Sequence, residues 1–225
     1  MNKISLGIVG IMSAALISCQ SVHDTPEQKN ISTNSSSSSV ENGIATYTIP
    51  EIGMSFEYPT DVFQNPLKYR VGLDVLFRQG EQRAGAGAIR FSYFEKGGAP
   101  DYETWYSDYI GDIATESTLQ NVCSNSRWPK DMFVGCKIVA EPIPHAEFYI
   151  GEGDPETSYN LHKSAIFFTQ NSKYPGVFVD MSVLDVPVHN VTETKAALEK
   201  LASGKMQSKL VQKFDQIISS IRFDR

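Results

Sequence analysis

From Ile44 onward the apolar and polar positions alternate mainly with the two-residue period of β-strands, and change to a helical period in three places. Ala45 to Ile49 and Met54 to Tyr58 are rich in Thr, Ile, Tyr and Phe and are separated by Pro50-Glu51-Ile52-Gly53, which predicts a hairpin; Pro59 stops its second strand. Tyr69 to Arg78 and Ala88 to Glu95 predict two longer strands joined by the Gly-rich stretch Gly80 to Gly87. In the second of these, Ile89, Phe91 and Tyr93 alternate with Arg90, Ser92 and Phe94, so one face is mostly buried and the other partly wet. Phe133 to Glu141, Glu147 to Ile150, Leu161 to Thr169 and Val177 to Leu184 complete the strands.

The helical stretches carry their own start and stop signals. Asp101, after Pro100, is the N-cap expected for a helix whose Tyr102, Trp105, Tyr106, Tyr109, Ile110 and Ile113 share one face. Such an aromatic stripe packs on a sheet or stacks on a sugar or other ligand. Asn190 and Glu193 make a capping-box-like start for a second helix with Ala197, Leu198 and Leu201 inward and Gly204 at its end. Leu210, Val211, Phe214, Ile217, Ile218 and Ile221 form the stripe of a third. Hairpin, strands, helix, strands, helices: this order predicts an α+β fold, an antiparallel sheet flanked by segregated helices.

Before Ile44 the pattern is different. Lys3 precedes an apolar run from Ile4 through Ile17, interrupted only by Gly and Ser, which is the layout of a secretory leader. The run is shorter than the roughly 20 residues of a membrane-crossing helix, and polar sequence follows at once. Leu16-Ile17-Ser18-Cys19 resembles the lipobox of bacterial lipoproteins. The resemblance implies cleavage before Cys19 and a diacylglycerol on its thiol, with further acylation of the new amino terminus, because two or three acyl chains hold a protein where one does so only marginally. The alternative is an ordinary leader with a chance Cys. Gln20, not Asp, follows, which in such proteins implies the outer membrane, facing the periplasm. Gln20 to Asn42 is polar and includes the run Ser35 to Ser39, too poor in apolar residues to offset the entropy of ordering. The expected layout is a leader over residues 1–18, a tether over 19–43 and a globular domain over 44–225.

The 225 residues carry 20 Lys and Arg against 26 Asp and Glu; losing Lys3 with the leader leaves 19 cations and a net charge near −7. A chain this acidic, without clustered basic residues, is a poor nucleic-acid binder, and membrane attachment falls to the lipid on Cys19. Beyond Cys19 only Cys123 and Cys136 remain. An even pair in an exported chain reads as a disulfide, worth roughly 3 kcal/mol through loop closure. Two buried free thiols are the alternative. Zinc binding is disfavoured by the lack of a Cys-x-x-Cys spacing.

The opening Gly-Met-Ser-Phe-Glu-Tyr-Pro-Thr-Asp-Val-Phe and the closing stretch from Phe214 to Phe223 resemble the two ends of PsbP-like domains, named for an extrinsic photosystem II subunit. The resemblance covers about Ile44 to Arg225. It implies an α/β/α sandwich and a protein that binds other macromolecules or stabilises assemblies; it carries over no functional residue and no cofactor.

Motifs of chemistry are sparse. Gly-x-Ser-x-Gly, His-Glu-x-x-His and Ser-x-x-Lys do not occur, and Gly80, Gly85 and Gly87 make no phosphate loop. His145 and Glu147 share one side of a strand and would form a metal site only if His162 or Asp154 came near; zinc wants three or four ligands, so no metal is expected. Gly151 to Glu156 is acidic but composed like a turn. The most promising working surface is the loop between the two cysteines, where Trp128 stands between Arg127 and Lys130 beside Pro129. A large ring on a covalently closed loop is suited to anchoring an interface, with Trp128 folded back on the core as the alternative. The expected function is a lipid-anchored, non-catalytic binding or assembly module for another envelope protein or complex. An envelope hydrolase and a small-ligand carrier are the alternatives.

Overall fold

The computed structural model of the protein describes residues 40–69, 72–78, 88–94, 118–124, 132–152 and 159–224. The leader with Cys19, nearly all of the tether, the aromatic helix expected from Asp101, and Arg127, Trp128 and Lys130 lie outside the described residues.

The strands are β1 (Val40–Glu41), β2 (Ile44–Ile49), β3 (Met54–Pro59), β4 (Leu67–Tyr69), β5 (Gly72–Leu76), β6 (Ala88–Phe94), β7 (Met132–Val139), β8 (His145–Glu152), β9 (Leu161–Phe168), β10 (Gly176–Ser182) and β11 (Arg222–Phe223). The helices are α1 (Leu119–Ser124), α2 (Val191–Ala202) and α3 (Lys209–Ser220). They build two sheets, a four-stranded one in the order β1-β2-β3-β11 and a seven-stranded one in the order β4-β5-β6-β10-β9-β8-β7. Every pairing is antiparallel.

This corrects the expected α+β arrangement. Among the described residues the fold is mostly β, in two sheets, not one antiparallel sheet flanked by helices in an α/β/α sandwich. The reason lies in the first hairpin. Ala45, Tyr47 and Ile49 of β2 and Met54, Phe56 and Tyr58 of β3 are all buried on one face, and β3 takes β11 as its other neighbour instead of joining the larger sheet. That apolar face needs a cover, and Phe56 finds it by stacking on Phe91 of β6, ring centres 4.5 Å apart. A second sheet therefore takes up surface that helices were expected to occupy. Where one strand is expected from Tyr69 to Arg78, β4 and β5 form instead and pair with each other, Tyr69 opposite Gly72.

Local chemistry explains the ends of the elements. Gly53 closes the β2–β3 turn at φ 61°, a left-handed conformation costly for side chains other than Gly. Asn190 caps α2 by accepting from Glu193 N at 2.9 Å, while Glu193 Oε2 accepts from His189 N at 2.9 Å. At the other end Lys205 N reaches Lys200 O (2.9 Å) and Gly204 N reaches Leu201 O (3.1 Å), a Schellman stop with Gly204 at φ 70°. Ser208 caps α3, and Asp185 reinforces it, accepting from Ser208 Oγ (2.7 Å) and Lys209 N (2.8 Å).

The main core joins both sheets to α2 and α3, with Phe214 and Ile217 of α3 and Ile221 at its C-cap fully enclosed. On the far face of the larger sheet a smaller cluster gathers Val122 of α1 with Ala146, Phe148, Ile150, Ile166 and Phe178. Strand β9 lies between the two clusters and is buried from Leu161 to Phe167. Cys123, at the end of α1, and Cys136, on β7, are bridged, with Cα atoms 5.4 Å apart. The bridge fastens α1 to the outermost strand of the larger sheet.

Phe56→Ala is expected to cost about 3–5 kcal/mol in urea unfolding, and Glu57→Ala, one residue along on the exposed face, less than about 0.5 kcal/mol. Equal losses at both positions would mean that the faces of β3 are not sorted in this way.

Candidate functional site

Strands β7, β8 and β9 present alternate residues to the helices. From β7 come Lys137 and Val139, from β8 His145, Glu147 and Tyr149, and from β9 Lys163. The registers Val139 to His145, Lys137 to Glu147 and Tyr149 to Lys163 set these side chains in adjacent rows. Over them stand the C-terminal end of α2 and one flank of α3, and the space between is a cleft of about 500 Å³. The Schellman stop places Ser203 and Gly204 in its wall, and Val211, Gln212, Asp215 and Ile218 line it from α3.

Lys163 governs the charge distribution. It is only 5% exposed and sits in a strand buried on both faces. A buried ammonium is costly unless paired. Asp215 of α3 accepts a hydrogen bond from it, Glu147 Oε1 stands 3.8 Å away, and the rings of Tyr149 and Phe214 lie 5.8 and 5.7 Å from Nζ. Glu147 Oε2 accepts from the Tyr149 hydroxyl. His145 stacks on Phe167 at 4.7 Å and donates through Nδ1 to the Ile143 carbonyl at 2.8 Å. Its Nε2 faces Glu147 Oε1 at 3.7 Å, too far for a hydrogen bond, and is buried with no partner.

These contacts move the acids in opposite directions. Burial acts to raise Glu147, but the facing His145 ring in its protonated form, the Tyr149 hydroxyl and the Lys163 charge outweigh it and hold the carboxyl at about 2. Asp215 is pushed upward, first by desolvation of its inner side and then by Glu147, with Lys163 opposing. Burial and the bond to Glu147 push Tyr149 up, so it remains a donor. The result is a carboxylate, a phenol and an ammonium that largely satisfy one another, an arrangement suited to holding a polar group rather than delivering a nucleophile.

Of the two residues considered from sequence as completing a metal site, His162 does not join His145 and Glu147. His145 and Glu147 face the helices, whereas His162 projects from the opposite face of β9, beside Asp180 and Ser182. Asp154 is outside the described residues. Among the described residues no three His, Cys, Asp or Glu side chains gather as metal ligands. The grouping of Ser182, His162 and Asp180 is not a catalytic relay either. Ser182 Oγ at 3.4 Å and Asp180 Oδ2 at 3.6 Å both approach Nδ1, whereas a relay sets serine and acid on different ring nitrogens. Asp180 also accepts from Ser164 Oγ at 2.6 Å.

Sequence reading singled out His145 and Glu147 but passed over Lys163, Tyr149 and Asp215. The available signal was Lys163 itself, a lone cation inside the apolar run Leu161 to Phe168, which obliges the fold to bring an acid to it. No family model matches the chain, and no curated protein matches it.

The depressed Glu147 sets a pH dependence. A carboxyl lower in the folded than in the unfolded state stabilises above the unfolded value, and that contribution is lost as pH falls toward the folded value. The stability advantage of the wild type over Glu147→Gln, about 3 kcal/mol at most near neutrality, is expected to shrink below about pH 4.5 and to vanish near pH 2. Urea unfolding across this range checks it. A gap independent of pH would remove Glu147 from the account.

Proposed function

We propose that the protein is a lipid-anchored envelope protein, held on acylated Cys19, whose domain works as a non-catalytic binding or assembly module for another envelope protein or complex. One observation carries the binding part: the cleft between β8, β9 and α3 is lined by paired charges and apolar side chains, with an unsatisfied acceptor at its base. The lipobox-like Leu16 to Cys19 and the polar stretch behind it support the address. Among the described residues no helix is long and apolar enough to cross a membrane. The volume of the cleft is that of a small-molecule site, which favours a second reading, a carrier of a small ligand.

Cys19→Ser is expected to abolish acyl incorporation and to move the protein from the membrane pellet to the soluble fraction. Mass spectrometry of the N-terminal peptide that finds an unmodified thiol, or the leader still attached, would sink the anchor. A photo-crosslinking residue at Gln212, on the cleft wall, is expected to yield adducts in intact cells that the same residue at Glu199 does not. Identical adduct patterns at both positions would remove the cleft as the place of contact.

A further inference from the structure

At the base of the cleft His145 Nε2 and Glu147 Oε1 face each other with no hydrogen bond between them, and Nε2 has no other partner. Nδ1 of His145 is committed as a donor to the Ile143 carbonyl, so in the neutral ring Nε2 carries a lone pair. It points at Glu147 Oε1, 3.7 Å away. The ring is 4% exposed and Nε2 has no partner, an arrangement that buried polar groups avoid. The nearest cation cannot fill the gap: Lys163 Nζ stays 3.8 Å from the same oxygen, held off by its bond to Asp215. Around this base Glu141, Glu147 and Asp215 set three carboxylates against the two ammonium groups of Lys137 and Lys163. Above it Val139, Met206, Val211 and Ile218 offer an apolar wall.

We propose that the cleft recognises a primary ammonium group on an unbranched aliphatic stem, its head hydrogen-bonded to Glu147 Oε1 beside His145 Nε2 and its stem along Val139, Met206 and Val211. This rests on the reading of the cleft as a binding site. A head with several N–H bonds can donate to Glu147 Oε1 and to the unpartnered Nε2, whereas a carboxylate guest enters a lining in which carboxylates outnumber ammonium groups, three against two. The same chemistry comes from two sources, a lysine side chain of a protein partner and a free alkylamine, and the structure accommodates either.

The test is calorimetric titration of the full-length protein with n-pentylamine, n-pentanol and pentanoate, and with the peptide acetyl-Ala-Lys-Ala-amide and its Nε-acetylated form. An ammonium-bearing probe is expected to bind at least roughly tenfold more tightly than its uncharged counterpart, because hydrogen bonds to charged groups exceed neutral ones by that order. Glu147→Gln is expected to erase the difference. Gln212→Trp, at an exposed position on the wall, fills the cleft and is expected to abolish binding of amine and alcohol alike, which keeps the test valid if Glu147→Gln fails to fold. Binding of the lysine peptide without the free amine assigns a protein partner, and the reverse assigns a small amine; both support the proposal. Amine and alcohol binding equally, or pentanoate binding best, overturns the ammonium and leaves the cleft a binding site. No binding by any of the probes overturns both.

Discussion

Lys163 takes a full positive charge into a strand covered on both faces, and the surrounding structure is arranged to tolerate it. Asp215 must come from α3 and Glu147 from β8, so the charge fixes how the last helix lies over the sheet. Removing one partner of such a group leaves an uncompensated ion, a larger loss than the pair is worth as a net contribution to stability. The cleft follows from the same constraint. Where α3 is held by Asp215 instead of by apolar packing alone, a space lined with polar atoms remains between helix and strands.

Much of the local structure is legible in the chain. The alternation in Ala45 to Ile49 and Met54 to Tyr58 marks β2 and β3 closely, Asn190 and Glu193 mark the start of α2, and the stripe from Leu210 to Ile221 marks α3. These are cases in which the local signal and the burial agree. The layering was not legible, because alternation says that a face is buried and not what buries it. Nothing in Phe56 announces that its partner is Phe91 in another sheet, and the two-residue strand β11 is too short to leave a periodic trace. Helix α1, six residues long, is likewise below the length at which a period can be read.

The site was half legible for a related reason. His145 and Glu147 share a strand, so their spacing alone places them on one side. Lys163 and Asp215 are 52 positions apart, and their meeting depends on topology. The separation of His162 from His145 is topological too: β9 runs against β8 so that Ile150, not His145, pairs with His162.

The smaller sheet has one more implication. Its first three strands, β1 to β3, lie within Val40 to Pro59, but the fourth, β11, follows α3: Arg222 pairs with Ser55, and Asp224 N reaches Gly53 O at 2.7 Å. During synthesis or export, therefore, the hairpin emerges long before its closing strand and waits with one border unpaired. Folding of this sheet waits for Arg222 to Asp224 to follow, and a helper that shields extended backbone would find its natural target in that interval.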